Sequence, residues 1–151
     1  MADYPYLDSL NTDGVSYNDP DEPNPFYPEE DTDSPKTDAS AYTFDNYQED
    51  TRTTAIYPEA GNNTIGAIDY CIFGLIGEAG EIANKWKKFH RDGYNESIKA
   101  DVIKELGDVL WYASQLATEL EVRLSDIAAD NIRKLTSRKQ RNKLGGSGDD
   151  R

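Results

Sequence analysis

Gly77-Glu78-Ala79-Gly80-Glu81 and Lys104-Glu105-Leu106-Gly107-Asp108 stand on either side of Arg91-Asp92-Gly93-Tyr94-Asn95. Each flanking stretch carries two carboxylates three residues apart, and such residues share one face of a helix, with Cβ atoms about 5–6 Å apart. The intervening segment has turn composition. In an antiparallel helical hairpin, residues equally far from the turn lie level. Residue 93 is the midpoint of 78 and 108 and also of 81 and 105. Glu78 is therefore expected level with Asp108, and Glu81 with Glu105, so that four carboxylates converge if the two faces meet.

Helical periodicity extends outward from both motifs. Before the turn, Ile65, Ile68, Cys71, Ile72, Leu75, Ala79, Ile82, Trp86 and Phe89 recur at spacings that suit one buried face. After it, Val102, Leu106, Val109, Leu110, Ala113, Leu116 and Leu120 do the same. Asn62-Asn63-Thr64 and Ser97 offer caps for these two helices. Thr43 can cap an earlier helix through Tyr47-Gln48-Glu49 to about Ile56, ended by Pro58 and Gly61. Ser125 can cap a last one bearing Ile127, Ala128, Ile132 and Leu135. No alternating strand pattern competes. The expected fold is all-α, an antiparallel four-helix bundle over residues 42–151. Gly74, Gly77 and Gly80 recur in one helix, each costing about 1 kcal/mol of helix propensity relative to Ala. Another backbone or a ligand is expected to approach closely along them, and Gly107 reads the same way.

Residues 1–41 differ from the rest. They hold 11 acids, one base and six of the seven prolines of a 151-residue chain whose net charge is −13. Proline removes donors and restrains its neighbours, so this segment reads as a disordered acidic tail. A single Cys71 excludes a disulfide framework and a multi-Cys zinc site, and a single His90 excludes two-His zinc and di-iron motifs. Cys71 is expected in the core and His90 near a helix C-terminus. No apolar run is long enough to cross a membrane, and the start does not read as a signal peptide. A cytoplasmic protein is the expectation. The acidic balance argues against direct nucleic-acid binding.

Clustered carboxylates repel one another, so they must take up protons or bind cations. All-oxygen sites suit Mg²⁺, with Mn²⁺ as a substitute. The chemistry expected of Glu78, Glu81, Glu105 and Asp108 is metal-assisted attack on a phosphate. Lys85, Lys87 and Lys88 read as a solvated face, with lining of an entrance for phosphates as the alternative.

These two acidic pairs resemble the signature of the MazG-like nucleoside triphosphate pyrophosphohydrolases. Tyr47-Gln48 with Arg52-Thr53 resembles that family's first helix, and Asn131-Ile132-x-Lys134-Leu135-x-x-Arg138 its last. The ending Gly146-Ser147-Gly148-Asp149-Asp150-Arg151 is similar to the close of small phage and bacterial members. The resemblance covers residues 42–151 and leaves the acidic tail aside. It implies Mg²⁺-dependent hydrolysis of (deoxy)nucleoside triphosphates between the α- and β-phosphates, giving the monophosphate and pyrophosphate. By position, Glu78, Glu81, Glu105 and Asp108 would hold metal, Lys134 and Arg138 would meet phosphates, and Asn131 phosphate or sugar. Trp86 and Tyr112 would flank a base, and Gln48 would bond its edge. Homodimers or homotetramers are implied, with active sites near subunit interfaces, and a host-cytoplasm location if the protein is phage-encoded. The competing expectation is a catalytically inactive bundle of the same fold that binds a nucleotide or a protein. The base preference is open among canonical and noncanonical nucleotides and ppGpp.

Overall fold

A computed structural model describes residues 42–93 and 96–145, with backbone alone at Glu96. The acidic segment 1–41 and the Gly146–Arg151 ending lie outside the described residues. Among the described residues four helices follow in order: α1 (Phe44–Arg52), α2 (Ile65–Asp92), α3 (Glu96–Glu119) and α4 (Leu124–Gln140). The fold is all-α, and no strand occurs among the described residues. No helix among them is long and apolar enough to cross a membrane.

The starts of α1 and α2 follow from local chemistry. Thr43 Oγ1 accepts from Asn46 N, and Asn46 Oδ1 accepts in return from Thr43 N, a reciprocal capping box. Thr64 Oγ1 accepts from Ala67 N at 3.1 Å and starts α2. Gly93 ends α2 with φ +90°, a conformation that side-chain-bearing residues rarely adopt. It occupies the hairpin midpoint that the sequence assigns to it. α1 stops at Arg52, short of Ile56, which is almost fully exposed.

Two sequence-assigned caps are corrected. α3 begins at Glu96, so Ser97 lies inside its first turn. α4 begins at Leu124 with Arg123 as its N-cap residue, which makes no side-chain capping bond. Ser125 is therefore inside the helix, and its Oγ is buried without a hydrogen-bond partner. The capping acceptor comes instead from α1, through Gln48 Oε1, which accepts from Leu124 N at 2.7 Å.

The α2–α3 hairpin is the main packing unit, and α1 and α4 join it mostly through α3 and each other. α4 does not pack on α2. A small core forms around Tyr57, Ala67 and Cys71, with Ala55, Ala60, Trp111 and Leu116 against it. Trp111 Nε1 donates to Thr54 Oγ1 at 2.8 Å, and Thr51 Oγ1 meets Ser114 Oγ at 2.9 Å. Glu119 is fully buried beneath the α1–α2 connection. It accepts from Tyr57 Oη, from Gly61 N at 2.7 Å and from Asn63 N at 3.0 Å. Burial alone would raise its carboxyl. Those three donors, with the charge of Arg52, outweigh burial and hold it below the usual carboxylate value.

Among the described residues, nothing covers the outer face of α2. Ile65, Phe73 and Ile76 are 79%, 69% and 64% exposed, although the opposite face carries buried Ala67 and Cys71. α2 is thus apolar on two sides, the pattern of a helix buried all round.

Candidate functional site

The α2–α3 register brings the acidic motifs together near the middle of the hairpin. Glu78, Glu105 and Asp108 each place a carboxylate oxygen within 4.8 Å of the others. Glu78 and Glu105 are half-buried and Asp108 is exposed. Glu81 is not in this group. Its side chain is exposed. Its charge still acts on Glu78 and on Lys85.

The electrostatics show an acidic centre short of positive charge. Burial, a hydrogen bond with Glu105 and the charges of Asp108, Glu105 and Glu81 push the Glu78 carboxyl up. The Lys85 ammonium holds Glu105 below the usual carboxylate range, against burial, and the Glu78 hydrogen bond adds to the effect. Lys85 Nζ lies 2.9 Å from Glu105 Oε1, with the side chains 26% and 16% exposed. The expectation that Lys85 belongs to a solvated face is therefore corrected: it spans the hairpin to a carboxylate of the cluster. Tyr47, on α1, is pushed up by burial and then by the charge of Asp108.

The other sequence-assigned residues are distributed around this centre. Tyr112 lies over Gly74, where a Cβ would fall 2.1 Å from its ring. The close neighbour at Gly74 is thus a side chain of α3, and not the backbone or ligand expected along the glycine stripe. At Gly77, Gly80 and Gly107, the helix's own backbone aside, no described residue lies within 4 Å of such a Cβ. Tyr112 also neighbours Tyr70 and Trp111, and the charge of Glu78 contributes to raising its phenol, after burial and Tyr70. Trp86 is 41% exposed, tilts against Phe89 at 4.8 Å and meets His90 edge-on. His90 lies in the last turn of α2, as expected.

Gln48 is committed within the chain. Its Nε2 donates to Thr118 Oγ1 at 3.1 Å and to Val122 O at 3.0 Å, while its Oε1 caps α4. Asn131 and Lys134 are exposed on α4, and Arg138 is buried at 6% exposure. α4, which carries these three, packs on α1 and α3 and has no packing contact with α2. A cleft of about 420 Å³ lies between α1 and the α3–α4 turn, lined by residues that include Gln48, Arg52, Thr118 and Arg123. None of the clustered carboxylates lines it.

The donor set of the cluster fits a hard divalent cation. It offers oxygen atoms only, at least three of them convergent, and it lacks enough positive charge to neutralise itself. Among the described residues, no other group of three or more His, Cys, Asp or Glu side chains converges in this way.

The MazG nucleotide pyrophosphohydrolase domain matches residues 69–142, which include all of α3 and α4, α2 from Asp69 onward and all four acidic motif positions. The chain belongs to that family. It is also 49% identical over 111 residues to the Gene 37 protein of Mycobacterium phage L5, an alignment covering 71% of this chain and 97% of that protein. No solved structure matches the chain.

Proposed function

We propose that this protein hydrolyses (deoxy)nucleoside triphosphates between the α- and β-phosphates, releasing a nucleoside monophosphate and pyrophosphate, with Mg²⁺ or Mn²⁺ required. The observation that carries this reading is the convergence of Glu78, Glu105 and Asp108 inside the segment matched by the family. These three would hold the metal, with Glu81 next to them. A metal bound there supplies charge neutralisation for the phosphates and a more acidic water. The chain's own contribution is positional. The hairpin fixes the carboxylates, and Tyr112 and Trp86 give aromatic surface for a base. Asn131 and Lys134 stand on α4, open to solvent and free to meet an anionic substrate held between subunits.

The second part of the reading is self-association, as a homodimer or homotetramer. Its support is the exposed outer face of α2, with Phe73 and Ile76 far more open than a single folded chain needs. Sedimentation analysis tests it: a monomer at micromolar concentration would remove this part.

The decisive assay is pyrophosphate release from a panel of NTPs, dNTPs, dUTP and ppGpp, with Mg²⁺, Mn²⁺ or EDTA. Glu105→Gln and Asp108→Asn are run beside the wild type. Metal-dependent release that disappears in both folded variants is the expected result. Absence of turnover on every nucleotide would leave a nucleotide- or protein-binding bundle of the same fold.

A further inference from the structure

Lys85 is a cation aimed at an oxygen that the proposed metal would need. It follows Glu81 by one turn of α2, and the two helices are level at 81 and 105. Side chains on a helix lean toward its N-terminus. Lys85 therefore leans back over the turn of Glu81, to the height of Glu105, and its Nζ reaches Oε1 at 2.9 Å. Asp101 and Glu81 also act on its charge. Both members of the pair are largely screened from solvent, unlike Arg91–Asp92 or Arg123–Asp126, whose side chains are more than half exposed.

We propose that Lys85 is a stand-in counter-ion: it holds Glu105 in the metal-ready position while the centre carries no divalent cation, and it competes with that cation for the same carboxylate. The proposal rests on the reading of Glu78, Glu105 and Asp108 as a metal centre. It assigns Lys85 a positioning role that the acidic motifs alone do not contain. Arrival of the metal frees the ammonium beside the cluster, where a polyphosphate chain brings new negative charge. Lys85 thereby makes metal entry alone less favourable than entry together with an anionic substrate.

The test is direct Mn²⁺ binding by electron paramagnetic resonance on the full chain without nucleotide, for wild type, Lys85→Met and Lys85→Arg. Thermal unfolding is read with and without Mn²⁺. Methionine removes the charge and keeps the length of the side chain. A charge a few ångströms from a divalent ion in a partly screened site changes its affinity by roughly three- to tenfold. Lys85→Met is expected to bind Mn²⁺ more tightly by that factor, and Lys85→Arg to stay within about twofold of wild type. Without metal, Lys85→Met unfolds at a lower temperature than wild type, and saturating Mn²⁺ closes the gap. Lys85→Gln serves the same arm if the methionine variant does not fold. Unchanged or weaker Mn²⁺ binding on loss of the charge, with wild type binding normally, overturns the role of Lys85 alone. Failure of wild type and variants alike to bind Mn²⁺ overturns the metal centre, and the role of Lys85 with it.

Discussion

Gln48 Oε1 on α1 accepts a hydrogen bond from Leu124 N, the first residue of α4, 76 positions away. The same amide donates to Thr118 Oγ1 and Val122 O. One side chain thus caps one helix, ties off the end of another and is carried by a third. Gln48→Ala is expected to lower stability by about 1–2 kcal/mol, the scale of a lost cap plus a hydrogen bond. Denaturant unfolding measures this. If substrate ranking stays fixed while stability falls, Gln48 acts as a strut; a changed base preference would show that the amide also reaches the nucleotide.

Glu119 makes a prediction about acid stability. Its carboxyl is held low in the folded chain. A lowered carboxylate contributes stability that is present above its unfolded value and is lost as pH falls through its folded value. Wild type should therefore lose thermal stability below about pH 4.5, the ordinary glutamate range, more steeply than Glu119→Gln. At neutral pH the glutamine variant should be less stable by about 3 kcal/mol, because an NH₂ group replaces an acceptor facing buried N–H donors. Melting curves from pH 3 to pH 7.5 on both proteins check the sign and the size.

Glu78 behaves in the opposite sense. Its carboxyl is raised, so its contribution to stability is fully present below the unfolded value and is lost as pH rises through the folded one. At pH 8 the metal-free centre is strained by its own charge, and at pH 5 less so. Mg²⁺ should raise the melting temperature more at pH 8 than at pH 5. Glu78→Gln should melt higher than wild type without metal and should gain less on adding it. A Mg²⁺ effect independent of both pH and Glu78 would contradict this.

The glycines divide into two kinds. Gly74→Ala drives a methyl into the Tyr112 ring and should destabilise by about 1–3 kcal/mol. Gly77→Ala, Gly80→Ala and Gly107→Ala meet open space within the chain and should each raise helix stability by up to about 1 kcal/mol. If a nucleotide or a second subunit occupies that space, pyrophosphate release or self-association should nevertheless fall. Paired melting and turnover measurements separate the two effects.

Much of this architecture is written locally. The caps at Thr43 and Thr64 depend on side chains three residues from the backbone groups they satisfy, so composition alone exposes them. The hairpin register follows from Gly93 and the spacing of the acids, and it places Glu78, Glu105 and Asp108 correctly. What escaped is non-local or directional. The cap of α4 comes from Gln48, which no window around Ser125 contains. Glu119 is buried by the α1–α2 connection, whose donors lie more than fifty positions earlier in the chain. Lys85 sits among Lys87 and Lys88 and looks solvated; only the lean of its side chain along α2 takes it to Glu105. Periodicity gives the face of a residue but not its reach. The uncovered side of α2 is also silent in sequence, since an apolar face looks the same whether its partner is the same chain or another.

The carboxylate group has one further consequence, for the rest of the chain. Its three members fall within residues 78–108, on two consecutive helices joined by one turn. The geometry of the carboxylate group therefore depends on the α2–α3 hairpin alone, and not on the docking of α1 or α4. Segments outside that hairpin are correspondingly free to change in length and composition while the ligand geometry is kept.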